Sequence, residues 1–512
     1  MKKHIKQFFI FNKNYIIIII FIVLSLILLF NHEPYQDEAQ AWLIARDSSN
    51  FISMIHQMGY EGTPALWHCI LFILTHLGLP YFLMAIVHFL IILSAVIIFI
   101  NYAPFSTVVK ILFIFGYYPF FEYNTIARNY ALTVLFLFLI ALIYKNRFKR
   151  PILYSLLIFL LANTNLYSLV IAIILSGVYI FEVLQLKLQK QLNITKKNII
   201  SFLIMLFGFL IAIYQLLPPT DIALLYNSIR SIDIIPRTII GAFLPIPIPV
   251  INFWNSLLIF YPTTNIITAV NMIIFGLMIF LLSLLFFKKQ PKLMLIYLLL
   301  FIGLFSIFLL TCIGNNRHFG LIFIIFIFCL WIANNYKELL IKNKVINKLL
   351  SPKKLTYCFV ALLLSQVIAS SIAFFYELNY DFSAAKKTAI FLKENKFINN
   401  ETFIASYPSY STTAILPYIP KPYSRFFCIE YKNYCSFLTW NETYYWNTNL
   451  SIDEIINRID NAIINKNYNR VLLILNENIE DKKFLNKYNL IISFNKTIVK
   501  NESFYLYQLR TN

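Results

Sequence analysis

The chain has 512 residues, of which 59% are hydrophobic and 13% charged, with 50 Phe and 33 Tyr. That balance excludes an ordinary soluble domain, in which about a quarter of the residues are charged. The formal net charge of +20 reads as topology and not as nucleic-acid binding, because membrane proteins collect Lys and Arg in loops that face an anionic cytoplasmic leaflet.

The N-terminal run MKKHIKQFFIFNKN followed by YIIIIIFIVLSLILLF lacks a small-residue cleavage site and reads as an uncleaved first span. A bilayer core about 30 Å thick requires roughly 20 apolar residues of helix. This predicts eleven spans, near 14–30, 81–101, 106–121, 127–144, 151–166, 167–186, 198–217, 264–287, 292–313, 319–335 and 355–376. The apolar stretch 64–79 is predicted to lie at the interface as an amphipathic helix, with His68, Thr75 and His76 close to one face. Basic stretches 145–150, 187–197, 288–292 and 337–354 then fall on the side of the N-terminus, the cytoplasmic side.

With that topology the outward loops hold Arg46, Arg128, Arg230, Arg237 and Arg317 and no lysine. Arginine presents a planar fork of donors that matches phosphate, so an anionic ligand is expected on this side, although arginines also snorkel to head groups. Of the ten acidic residues before Glu377, five (Glu33, Asp37, Glu38, Asp47 and Glu61) lie in the first outward loop, 31–64. So short a loop has no solubility need for them, and it is the expected seat of chemistry. Tyr35, Trp42, Tyr60, Trp67, Tyr117 and Tyr123 also cluster near this face, where a belt of interface anchors is the ordinary role.

From residue 377 hydropathy drops. A helix at 383–396, a second near 451–466, and strand-like ETFIASY, VLLILN, YNLIISF and SFYLYQL predict a C-terminal α/β domain. An odd number of spans places it outside the cytoplasm, where Cys428 and Cys435 can pair if the compartment is oxidising.

In the run His32-Glu33-Pro34-Tyr35-Gln36-Asp37-Glu38, Pro34 favours a turn or helix start, leaving Asp37 and Glu38 in a first helical turn and about 100° apart. One can then face a pocket while the other holds backbone or a partner; helix capping by both is the plainer use. The acidic pair after an uncleaved first helix, Glu61-Gly62-Thr63-Pro64-Ala65-Leu66-Trp67, Phe121-Glu122-Tyr123, Ala127-Arg128-Asn129-Tyr130 and Asn315-Asn316-Arg317-His318-Phe319, taken in this order, resemble the GT-C superfamily of membrane glycosyltransferases. The similarity is to its bacterial members akin to protein O-mannosyltransferases, aminoarabinose transferases and galacturonosyltransferases. The chain departs from that pattern in having Thr63-Pro64 where the family usually has tandem prolines.

The resemblance implies a GT-C-like polytopic fold for residues 1–376 and transfer of a sugar from a polyprenyl-phosphate donor to an acceptor hydroxyl, with inversion. It implies Asp37 as general base; Glu38, its neighbour in the catalytic pair, is expected to orient the base or bind sugar hydroxyls. Arg128, Arg317 and Arg46 are the expected binders of the donor phosphate. Glu61, Glu122 and His318 are expected to orient substrate, Glu122 otherwise simply pairing with Arg128. No resident metal is expected, a weak divalent-ion dependence staying open. The acceptor, whether lipid, protein or polysaccharide, is unassigned, and the expected location is a bacterial cytoplasmic membrane. A polysaccharide polymerase or ligase and a lipid or polysaccharide transporter are the alternatives. Ion-coupled transport calls for ionisable groups within spans, and Glu182, the acid within a predicted span, sits close to its cytoplasmic end.

Overall fold

The computed structural model describes residues 2–222, 234–260, 266–310, 314–338, 351–464 and 466–510, without the side chains of 2–12 and 266–268. Among them, seven helices are long and apolar enough to cross a bilayer: Lys13–Asn31, Leu83–Tyr102, Leu166–Leu188, Lys196–Leu216, Pro291–Leu310, Asn316–Asn335 and Pro352–Asn379. Their exposed faces carry Ile, Leu and Phe side chains (Ile19, Leu90, Phe181, Phe207, Leu295, Phe375), as lipid-facing helices require.

Three of the eleven expected spans are shorter or broken. Segments 127–144 and 151–166 appear as the apolar helices Tyr130–Asn146 and Pro151–Ala162, whereas segment 264–287 forms the 20-residue helix Ile266–Leu285. Segment 106–121 is not one helix but Thr107–Ile114 followed by a π-turn, Tyr117–Glu122. Gly116 marks the break: a Cβ there would come within 3.1 Å of Gln366 Cβ on the last long helix, so close packing takes precedence over helical continuity.

Two other segments also depart from expectation. Helix Leu66–His76 does not simply lie on the surface: Trp67, His68 and Leu71 are buried while Ile73 is exposed, and it packs against the helix Gln36–Asp47. The stretch between the seventh and eighth predicted spans, expected as an outward loop, contains the apolar helix Ile234–Phe243, drawn into the bundle. Tyr118 Oη donates to Gly241 O (2.6 Å) and Gln366 Nε2 to Ala242 O (3.2 Å), so carbonyls at its end are satisfied by protein in place of water. Arg230 lies outside the described residues.

The basic stretches meet at one end of the bundle. Arg147 pairs with Glu182 at 2.7 Å, Lys292 bonds Gln185 at 3.2 Å, Lys289 pairs with Glu338 at 3.3 Å, and Asn14 bonds Asn101 at 3.1 Å. At the opposite end, His32 just after the first long helix bonds Glu377 in the last turn of the final one at 2.8 Å.

The C-terminal region forms a six-stranded sheet in the order β3-β2-β1-β4-β6-β5, with β1 Thr402–Tyr407, β2 Phe426–Cys428, β3 Asn433–Cys435, β4 Arg470–Leu475, β5 Tyr488–Phe494 and β6 Phe504–Leu509. β1 is parallel to both β2 and β4, and the other pairs are antiparallel. The four predicted strands are β1, β4, β5 and β6; the Cys428–Cys435 disulfide ties the β2–β3 hairpin. Alternation sends Ile404, Leu472 and Leu506 to one face and Phe403, Leu473 and Tyr507 to the other. The first face shares its core with Ala39 and Leu43 of the helix Gln36–Asp47. Burial of that apolar stripe docks the sheet on the first loop.

Candidate active site

The site is built outward from the turn after the first long helix. Tyr35, extended at φ −93° and ψ −178°, is the N-cap of the helix Gln36–Asp47, leaving Asp37 and Glu38 in the first turn. Glu38, fully buried, accepts from Tyr35 N (3.1 Å) and from Ala127 N (2.5 Å), and bonds His32 Nε2 (3.1 Å). Its two oxygens are thus spent on closing the helix start and anchoring the chain one residue before Arg128. Glu38 does not line the cavity described below; its position is that of a structural tether, which differs from the catalytic role expected of it.

His32 completes this tether by lying between Glu38 and Glu377. Burial would lower its pKa, but the two carboxylates outweigh burial and raise it to about 10, so the ring is cationic near neutrality.

Asp37 projects the other way. Its Oδ2 meets Arg128 Nη1 at 2.9 Å, Arg317 Nη1 at 3.0 Å and the Tyr35 hydroxyl at 2.7 Å, and Arg317 also donates to that hydroxyl. Burial would raise the Asp37 pKa; the two guanidinium groups and the phenol hold it down at about 2. Three residues separated by up to 280 positions in the chain thus converge on one partly exposed carboxylate. The anchoring of Ala127 by Glu38 brings Arg128 there, and the start of the helix Asn316–Ile332 brings Arg317.

A cavity of about 420 Å³ opens on Asp37, walled by Tyr35, Gln36, Trp254 and Arg317 and closed by residues 498–501 of the C-terminal region, including Lys500. The Trp254 ring stands edge-on to Tyr35 at 4.9 Å, with the Arg317 guanidinium 6.0 Å from its centroid. Gln36 Oε1 and Asn255 Oδ1, both on the wall, have no protein partner. Both oxygens are buried behind the cavity surface.

The other predicted residues fall outside this lining. Glu122 does not pair with Arg128: its Oε2 accepts from Tyr117 Oη (2.9 Å) and Trp254 Nε1 (3.2 Å), so it positions the tryptophan wall. His318 Nδ1 accepts from Asn315 N (2.8 Å), with its ring near Tyr130 and Tyr167 and its Nε2 3.5 Å from Arg317 Nε; it buttresses Arg317. Glu61 accepts from Gln40 Nε2 (2.9 Å) and Trp440 Nε1 (3.2 Å), tying the first loop to the C-terminal region, and burial raises its pKa. Arg46 is not part of the Asp37 cluster: it forks onto Asp47 at 2.9 and 2.8 Å and borders a separate cavity.

Sequence reasoning missed Trp254, Lys500, Gln36 and Asn255 as wall residues. Tyr35, Trp42, Trp67, Tyr117 and Tyr123, expected as interface anchors, are instead buried. The two-residue spacing of Tyr35 and Asp37 across a helix start that follows Pro34 is the available signal for Tyr35. Trp254 and Lys500 reach the site through tertiary packing alone. Among the described residues, no group of three or more His, Cys, Asp or Glu side chains is arranged to hold a metal. No family model, curated protein or solved structure matches the chain.

Proposed function

We infer that the chain is a membrane glycosyltransferase that moves a sugar from a polyprenyl-phosphate donor to an acceptor hydroxyl on the extracytoplasmic face. The observation that carries this reading is the Asp37 carboxylate held between Arg128 and Arg317 at the mouth of a polar, aromatic-walled cavity. We read the seven long helices, the helix Ile266–Leu285 and the three shorter or broken pieces as eleven crossings. The basic end is then cytoplasmic, and the sheet and its disulfide lie outside, where thiols oxidise. A bacterial cytoplasmic membrane suits this arrangement.

In the reaction an acceptor O–H attacks the anomeric carbon as the carbon–oxygen bond to the phosphate breaks. Asp37 takes the hydroxyl proton, and the bonding pair leaves with the polyprenyl phosphate. A single displacement of this kind inverts the anomeric centre. Negative charge therefore passes from the carboxylate to the phosphate, between the same two arginines, and needs no large reorganisation of the site. Both guanidinium groups pair with Asp37. A donor phosphate shares them, which relaxes their hold on the carboxylate and restores its basicity. Tyr35 and Trp254 offer rings for a sugar face.

The test is transfer of radiolabelled sugar from polyprenyl-phosphate donors by the purified protein in proteoliposomes, with membrane lipid extracts and envelope polysaccharide as acceptors. Labelled product in a non-donor fraction is expected. Labelled donor crossing the bilayer without cleavage would favour a transporter instead.

A further inference from the structure

Arg46 has no role at Asp37, and its surroundings form a second site. The helix Gln36–Asp47, the turn 75–81 and residues 417–421 of the C-terminal region enclose a cavity of about 430 Å³ with Trp42, Arg46, Tyr81 and Lys421 on its wall. An adjoining cavity of about 310 Å³ shares Lys421 and adds Asp47 and Arg425. Three cations thus face one carboxylate. Asp47 takes both the Arg46 fork and Lys421 Nζ (3.1 Å), fixing two of the cations in place and leaving the cluster positive. Arg425 is exposed at the mouth.

The inner wall is aromatic. Tyr81 lies 5.4 Å from the Trp42 ring and 5.2 Å from Tyr418, and its hydroxyl is buried with no protein partner.

The place of this cavity in the fold selects its occupant. Tyr81 precedes by two residues the membrane-crossing helix Leu83–Tyr102. Phe82, 44% exposed, stacks on Phe30 at the end of the first span, and Ile73 and Leu77 beside the cavity are 59% and 69% exposed. A positive, aromatic-walled pocket whose rim is apolar sits at the level where lipid phosphates lie.

We propose that this pocket binds the phosphate head group of an anionic membrane lipid, with Arg46, Lys421 and Arg425 as its partners and Ile73, Leu77 and Phe82 against the acyl chains. The inference rests on the membrane placement of the helices and is independent of the transfer chemistry at Asp37.

Native mass spectrometry of the detergent-purified full chain, titrated with phosphatidylglycerol or phosphatidylcholine, tests it. Phosphatidylglycerol should be retained preferentially. Arg425→Ala should weaken that preference about five-fold and Lys421→Ala/Arg425→Ala about five-fold more, as each removed cation forfeits its attraction to the head group. The unfolding midpoint should be unchanged in Arg425→Ala. Equal retention of the two lipids, or a preference that survives the double substitution, would overturn the site. Displacement of phosphatidylglycerol by equimolar inorganic phosphate would overturn the lipid assignment.

Discussion

Asp37 and the two arginines on it hold the site together at the residue scale. A carboxylate held at about pKa 2 is ionised at any working pH and is a poor base until its partners are drawn away. In the proposed transfer Arg128 and Arg317 are therefore both the partners that restrain Asp37 and the groups that receive the leaving phosphate. Arg128→Ala and Arg317→Ala should each lower turnover about 10²–10³-fold, the range for losing one preorganised charge-stabilising donor. Steady-state kinetics with the two substrates varied separately should show the donor KM rising more than the acceptor KM; an equal rise in both would assign the arginines to structure. Asp37, Arg128 and Arg317 were legible in the sequence because acids and arginines are scarce in so apolar a chain and sit at the same end of the expected spans. Glu38 and Glu122 were legible as important but not in what they do, since buried carboxylates are spent on whichever donors the fold brings, here Ala127 N and Trp254 Nε1. Trp254 was illegible: one tryptophan among many aromatics carries no local signal.

At the scale of elements, the site depends on how the helix Gln36–Asp47 begins. Its first residue is held by the C-terminal region, with Glu502 Oε1 accepting from Gln36 N (2.7 Å) and Oε2 from Ser383 Oγ (2.6 Å). Glu502 follows Lys500 and Asn501 of the cavity wall, so this contact registers the wall against Asp37. Burial raises the Glu502 pKa to about 8, against smaller lowering by Ser383 and Gln36 N. The folded protein thus keeps a proton that the unfolded chain releases near 4.5. Stability present below that value is lost as pH rises through about 8. Thermal unfolding in detergent should show a midpoint that falls between pH 6 and pH 9, with a smaller fall in Glu502→Gln; equal falls would mean that Glu502 titrates normally. The helices and longer strands of the C-terminal region were legible from periodicity, whereas β2 and β3, three residues each, are too short to show one.

Across the whole molecule, hydropathy located the long helices well because about 20 apolar residues make a signal that little else in the sequence imitates. It failed where tertiary contacts replaced length. The break after Ile114 follows from the close approach of Gln366, and the helix Ile234–Phe243 is held by Tyr118 and Gln366 side chains that lie far away in sequence. The two ends of the bundle differ in charge, which fixes the expected sidedness. In intact cells a membrane-impermeant thiol reagent should label Lys500→Cys and spare Lys289→Cys until the membrane is opened; the reverse pattern would put Asp37 in the cytosol and remove it from an extracytoplasmic reaction. The most direct measurement is single-turnover transfer by Asp37→Asn in proteoliposomes loaded with labelled polyprenyl-phosphate sugar. The amide keeps the shape of the side chain and frees both arginines, so donor binding should persist while the transfer rate falls about 10²–10⁴-fold, the contribution of a positioned base. Transfer at the wild-type rate with donor bound would contradict the assignment of Asp37 as the base.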